Sequence, residues 1–370
     1  MTVPVWDDLL TEDERRALAP GVPERLDATP DVLVVGGGVI GLATAAFCRR
    51  AGVERVLVIE RDRLASGPSG RAAGTLTPGF HALLRPDAFV RLAERGLELH
   101  REIAEEWDTG LHTIDSLAEI PPGITPPKSL DRAGARIVDG ATAREIEPEF
   151  GEVEQALHIP DQGSIRPLGF AAALAGRAGT VVTGVEVHDV DTADGRVVRV
   201  TTSHGDVEPG AVVFCTGTSD LLSIPQLRIK GHMAATGPAP FRLRTLPATL
   251  IGFVQTREGR IVAGGTFDPG DDDPAVHDDV VELMAGELRR IIPRAKELEI
   301  EHRWTCFRPA TPDELPVIDC VPGLENAWVS VGHFRTGIMV SPAAAELIAS
   351  WITTGERPPA AADFGTGRFP

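Results

Sequence analysis

Apolar runs, alternating stretches and helical periodicities succeed one another along the chain and divide it into distinct pieces. Asp31–Val35 (DVLVV) and Arg55–Glu60 (RVLVIE) are nearly unbroken apolar runs of strand length, which predicts two fully buried strands. Between them Gly41–Arg50 reads as a helix closed by Gly52, so the unit is βαβ, its strands parallel and covered on both faces. Phe89, Leu92, Leu99, Ile103 and Trp107 recur at helical spacing and predict an amphipathic helix over Ala88–Trp107. Leu111–Glu149 is rich in proline and reads as irregular. From Thr180 to Val200 apolar and polar residues alternate around Asp194-Gly195, the signature of antiparallel hairpins. Ala211–Cys215 is a further buried strand ending in Thr216-Gly217. Strand-like pieces between Phe241 and Phe267 turn at Arg257-Glu258-Gly259, and a helix from about Asp278 to Ile292 stops at Pro293. Ser341 as N-cap and Pro342 as first residue open a last helix, which Gly355 closes. Residues 1–30 form an N-terminal extension, with Thr11 and Glu14 boxing one short helix before Pro20, Pro23 and Pro30 interrupt the chain.

Composition narrows the classes. The chain has 370 residues, 42% of them hydrophobic, enough for about two domains with real cores. Lys plus Arg number 36 against 54 Asp plus Glu, a net charge of −18, which argues against nucleic acid and anionic membranes as partners. Cys48, Cys215, Cys306 and Cys320 form no metal-ligand spacing and no disulfide framework, so no metal is expected and reduced thiols in the cytoplasm are. Residues 1–30 lack the basic start and apolar run of a secretory peptide. The longest uncharged stretch, Val32–Cys48, is interrupted by Gly36-Gly37-Gly38 and fits a strand and helix better than a membrane span. Tyrosine is absent, which removes every mechanism that needs a phenol.

The chemistry begins at Gly36-Gly37-Gly38-Val39-Ile40-Gly41, a GxGxxG directly after a predicted strand and at the start of a predicted helix. Gly36 permits the tight turn, Gly38 lets a pyrophosphate approach the backbone, and Gly41 lets helix and strand pack. The N–H groups of Val39 and Ile40, at the positive end of the helix, hold the phosphates. Glu60 ends the second strand, where a carboxylate accepts from an adenosine ribose and disfavours a 2′-phosphate, and so NADP. This fingerprint does not separate NAD from FAD.

Five stretches resemble, in the same order, the flavoprotein family of glycine oxidase, D-amino acid oxidase and sarcosine oxidase. They are Ser66–Gly74, His158–Pro167, Val212–Leu222, Cys306–Asp319 and Gly332–Pro342, the last two closest to the glycine oxidase branch. The resemblance covers Asp31–Gly355. It implies a mixed α/β fold: a Rossmann-like FAD-binding domain with a mixed sheet (31–85, 150–225 and 306–370) and an antiparallel-sheet substrate domain (86–149 and 226–305). By resemblance the FAD site adds Arg61, Ser69, Arg71, Ala72, Ala73, Gly74, Val187, Thr216, Gly217 and Cys306. Arg335, Thr336, Gly337 and Ile338 would meet the flavin ring, with backbone donors stabilising its reduced form. Cys306 stands where the sarcosine oxidase branch carries a covalent flavin link; a small buried core residue is the other reading.

Two arginines are implied on the substrate side. Arg308 matches the arginine that binds the amino acid carboxylate, for which a guanidinium fork is well shaped. Arg335 matches a second, near the flavin or the mouth of the site. The implied reaction is hydride transfer from a neutral amine or amino acid to flavin N5, hydrolysis of the imine, and reoxidation by O2 to H2O2. His81, His232 and His333 stand where one could reach the site. Phe253 or Phe267 takes the place of the tyrosine that closes relatives' sites. A dehydrogenase feeding a quinone or protein acceptor, and a non-catalytic FAD-binding partner subunit, stay open, as does a homo-oligomer.

Overall fold

The computed structural model describes residues 3–124, 130–218 and 224–369. Its first layer is a six-stranded sheet ordered Val317–Cys320, Ala327–Val331, Ala211–Phe214, Val32–Val35, Val56–Glu60, Thr180–Thr183. All neighbours run parallel except the first pair, which is antiparallel. Val32–Val35 is buried along its whole length, as a strand covered on both faces must be. The helix Val39–Arg50 makes the crossover, so the βαβ expectation holds.

One face of this sheet packs on Val39–Arg50 and Gly337–Thr354, and Asp87–Glu106 packs in turn on Gly337–Thr354. The other is covered by a three-stranded antiparallel sheet, Val187–Ala193, Arg196–Thr202 and Gly205–Val207. Asp194-Gly195 turns its first hairpin with both residues at positive φ, 49° and 74°, as a two-residue turn requires. Thr180–Thr183 does not join that hairpin. It pairs in parallel with Val56–Glu60, because Gly184, at φ 82°, breaks the alternation that ran through it.

The second layer is a ten-stranded mixed sheet, in which Leu227–Pro238 pairs along most of its length with Ile300–Ala310. Most of its pairs are antiparallel, but Thr245–Ala248 runs parallel to His112–Ile120. His112–Ile120 corrects the irregular reading of Leu111–Glu149, as do Arg136–Asp139 and the helix Gly140–Ile146. The prolines begin at Pro121, after this strand, and their density hid it. Asp278–Ile291 covers the sheet on the side away from the first layer's core, against Phe253 and Ile261.

The last helix begins at Gly337, not at Ser341, and Pro342 lies inside it. Proline lacks the N–H that would bond the carbonyl of Ile338. His100 Nε2, at 2.9 Å, and Ser341 Oγ, at 2.9 Å, meet that carbonyl instead.

The capping box forms as expected, opening Glu12–Leu18. Residues of the N-terminal extension enter the main core: Val5, Trp6, Leu10 and Leu18 are buried with the helices of the first layer. No helix among the described residues is long and apolar enough to cross a membrane.

Candidate active site

The glycine turn is built by steric demand. A Cβ at Gly36 would lie 2.4 Å from the carbonyl oxygen of Cys215, and one at Gly41 2.0 Å from that of Gly36. Gly36 also needs φ 112°, which only glycine adopts readily. Gly38 differs: its Cβ would meet only Ser69 Oγ, at 3.2 Å. The protein itself hardly needs a glycine there, so its absent side chain leaves a cradle on the cavity side.

Around this turn the expected residues converge. Val39 N donates to Ser69 Oγ at 3.1 Å, tying the Ser66–Gly74 loop to the helix start. Glu60 accepts from Gly37 N at 2.7 Å and Asp62 N at 2.9 Å, one bond per oxygen, so each keeps accepting capacity. Trp6 Nε1 donates to Ala72 O at 2.8 Å, and Trp304 Nε1 to Arg71 O at 2.9 Å. Burial holds the Arg71 guanidinium below its usual range.

A cavity of about 1150 Å³ runs between the two layers, larger than the roughly 300–1,000 Å³ of sites for drug-sized ligands. Gly36, Gly38, Val39, Ile40, Glu60 and Arg61 line one end. Ser69, Arg71, Ala72, Ala73 and Gly74 follow along the loop, with Val187, Thr216 and Gly217 across from them. Cys306 and Arg308 come from the strand Ile300–Ala310, and Arg335, Thr336, Gly337 and Ile338 from the start of the last helix. Gly41 alone of the expected cofactor-binding residues does not face it, being packed beneath Gly36. The last four residues of Val212–Leu222 lie outside the described residues.

Arg308 lies in a slot. Cβ atoms at Gly231 and Gly265 would come within 2.3 Å and 2.2 Å of its guanidinium nitrogens. Its Nη1 donates to Thr266 O at 2.8 Å and, more weakly, to Lys230 O at 3.4 Å. Among the described residues neither Arg308 nor Arg335 has a carboxylate within ion-pair distance. The Arg335 guanidinium is pulled below its usual range by burial first, then by Arg85 and Arg308. His81 and His333 line the same cavity. Burial, aided at His81 by Arg335 and Arg85, pushes each down to about 3, so both are neutral. Cys306 is buried, and burial raises its thiol while Arg308 and Arg71 oppose this; all four cysteines are free.

Phe267 is 51% exposed and stands edge-on to Phe334, 5.9 Å between ring centres. Phe253 touches the cavity but belongs to the core under Asp278–Ile291. His232 is fully buried away from the cavity. Gly231, Gly265 and Thr266, which shape the Arg308 slot, went unread in the sequence. For Gly231, a glycine inside the strand Leu227–Pro238, the mark of a close approach, was the available signal.

Comparison with known proteins agrees with this geometry. The model of the family "FAD dependent oxidoreductase" matches residues 31–351. The bifunctional protein ThiO/ThiG of Synechocystis sp. is 30% identical over 364 residues, 93% of this chain and 55% of that protein. The chain thus spans about half the length of that relative. The glycine oxidase of Pseudomonas aeruginosa is 26% identical over 355 residues, 88% of this chain and 95% of its own. The crystal structure of glycine oxidase from Geobacillus kaustophilus has a TM-score of 0.83 at 27% identity, covering 93% of this chain and 100% of that one. Matched by the family model from the first strand into the last helix, the chain belongs to the FAD-dependent oxidoreductase family, on its glycine oxidase branch, with FAD as its cofactor.

Proposed function

We propose that the chain oxidises the carbon–nitrogen bond of a small amine or amino acid of the glycine, sarcosine or D-amino acid type, with the substrate carboxylate on Arg308. The observation that carries this reading is the unspent fork of Arg308. Nη1 is held by backbone carbonyls, while Nε and Nη2 donate to no described residue at the cavity wall. A guanidinium so fixed matches a carboxylate bidentately. Arg335 adds a second cation to the same cavity, and two cations with no acid in ion-pair range favour an anionic guest.

Gly36, Gly38, Val39 and Ile40 would hold the cofactor's pyrophosphate, and the cradle at Gly38 fits that group. Glu60 would take the ribose. Ser69–Gly74, Val187, Thr216 and Gly217 would follow the cofactor's length, and the N–H groups of Gly337 and Ile338, at a helix start, its ring. FAD, when bound, accepts the two electrons of the substrate's C–H bond. The chain's own part is orientation: Arg308 fixes the carboxylate and so the direction of the α-carbon. The amine enters neutral, its lone pair forms the C=N bond as hydride leaves, and water hydrolyses the product. His81 and His333, neutral down to about pH 3, add no further positive charge against the iminium that forms.

The test is an anaerobic screen of glycine, sarcosine, proline, D-amino acids and larger amines, following loss of oxidised-flavin absorbance. Bleaching by one of them supports the reading, and a protein that binds FAD yet is bleached by none sinks it. The rate of reoxidation in air, with peroxide formed, then assigns oxidase or dehydrogenase.

A further inference from the structure

We infer that Lys230 and His232 are positioning residues for Arg308, acting through the segment that runs from Thr266 to His277. This rests on the reading of Arg308 as the carboxylate site. Both side chains are fully buried yet neither lines the cavity, and the reaction proposed above uses neither. A buried ammonium is costly unless paired. Lys230 Nζ donates to Asp271 Oδ2 at 2.9 Å and to His277 Nε2 at 3.3 Å, which fastens the far end of the segment to the strand Leu227–Pro238.

His232 fastens both ends. Its Nε2 accepts from the backbone N–H of His277 at 3.1 Å, so the ring proton sits on Nδ1 and is donated to Asp268 Oδ2 at 3.1 Å. Burial, the largest influence, keeps this ring below its usual range and so favours the neutral form. Thr266 Oγ1 accepts from His232 N at 2.8 Å and donates to the same Asp268 carboxylate.

Thr266 is the link to the site. With its side chain fixed, its carbonyl is the 2.8 Å acceptor of Arg308 Nη1, and the carbonyl of Lys230 is the second acceptor. Gly231, between the two positioning residues, and Gly265, next to Thr266, form the walls of the guanidinium slot. A shift of the segment by a few tenths of an ångström turns the fork away from the carboxylate without touching the cofactor loop.

The test uses FAD-loaded protein, with acetate as the probe and the perturbed flavin spectrum as its binding signal. The amine selected by the screen is used for anaerobic bleaching in parallel. Lys230→Met and Asp268→Asn are each expected to weaken acetate binding roughly 5- to 30-fold. The half-saturating amine concentration rises by the same factor, while the limiting bleaching rate stays within about twofold and bound FAD is unchanged. Should Lys230→Met fail to fold, Asp268→Asn decides alone. The inference falls if acetate affinity in the folded variant stays within about twofold of the parent while Arg308→Ala abolishes it. It falls equally if limiting rate or FAD content drops along with affinity, since the network then supports the whole domain. If Arg308→Ala itself leaves acetate binding intact, the carboxylate reading fails too, and that result is distinct from the other two.

Discussion

A side chain at Gly38 would meet only Ser69 Oγ, whereas one at Gly41 would strike the carbonyl of Gly36, so the two glycines answer to different demands. Gly38→Val is expected to leave the apoprotein folded and to abolish FAD binding, because it fills the pyrophosphate cradle. Gly41→Ala instead costs the fold itself roughly 1–3 kcal/mol through overpacking against backbone. Melting of the apoprotein beside an FAD titration separates them, and full FAD affinity in Gly38→Val contradicts the cradle. Arg308→Ala is expected to raise the half-saturating amine concentration by ~10²-fold or more, since losing a charge-assisted pair at a shielded site costs roughly 3 kcal/mol; unchanged steady-state kinetics remove Arg308 from the site. Gly36, Gly38, Gly41 and Glu60 were legible because their spacing sits between a strand and a helix that the apolar pattern also predicts. Gly231, inside a strand, and Gly265, just past the end of one, were not, because a glycine at such a place means something only once the crossing side chain is known. Here it is Arg308, brought alongside by pairing of distant strands.

At the scale of elements, local rules succeeded wherever the signal and its partner lay within one turn or strand. The capping box at Thr11, the hairpin at Asp194-Gly195 and the stop at Gly355 are of this kind. The start of the last helix failed because Ser341-Pro342 mimics an N-terminus, while the acceptor left by Pro342 is served by Ser341 Oγ and by His100 from another helix. Nothing within one turn of Pro342 announces that histidine. The N-terminal segment carries a similar lesson: its prolines mark it as separate, yet Trp6 is only 3% exposed and bonds to the loop that lines the cavity. Asp7 pairs with Arg63 at 2.5 Å, and Leu64 N donates to Leu18 O at 3.1 Å. Trp6→Ala is therefore expected to cost about 3–5 kcal/mol, as for other large buried aromatics, read as a lowered urea midpoint of the FAD-loaded protein. A midpoint unchanged from the parent would show that the segment only lies on the surface.

For the whole molecule, a net charge of −18 surrounds a cavity lined by arginines, and histidines whose protonation burial opposes, His81, His100 and His333 most strongly, set how that arrangement answers to acid. His81 and His333 are pushed down to about 3, and His100 to about 4, each chiefly by burial. In the unfolded chain all three return to about 6.5. Below that value the unfolded state binds protons that the native state refuses, so stability falls as pH falls. The loss begins near pH 6.5 and continues until the native rings themselves protonate between about 4 and 3. Three such groups lower the unfolding free energy by about 4 kcal/mol between pH 7.5 and pH 5.5. Carboxylates held low by their partners, such as Asp31 beside Arg55, act in the same direction but only at more acid pH. Urea unfolding of the FAD-saturated protein at those two pH values measures the difference. A flat profile would mean that these imidazoles already carry protons in the native state, which would put positive charge beside Arg335 and undo the neutral surroundings proposed for the amine.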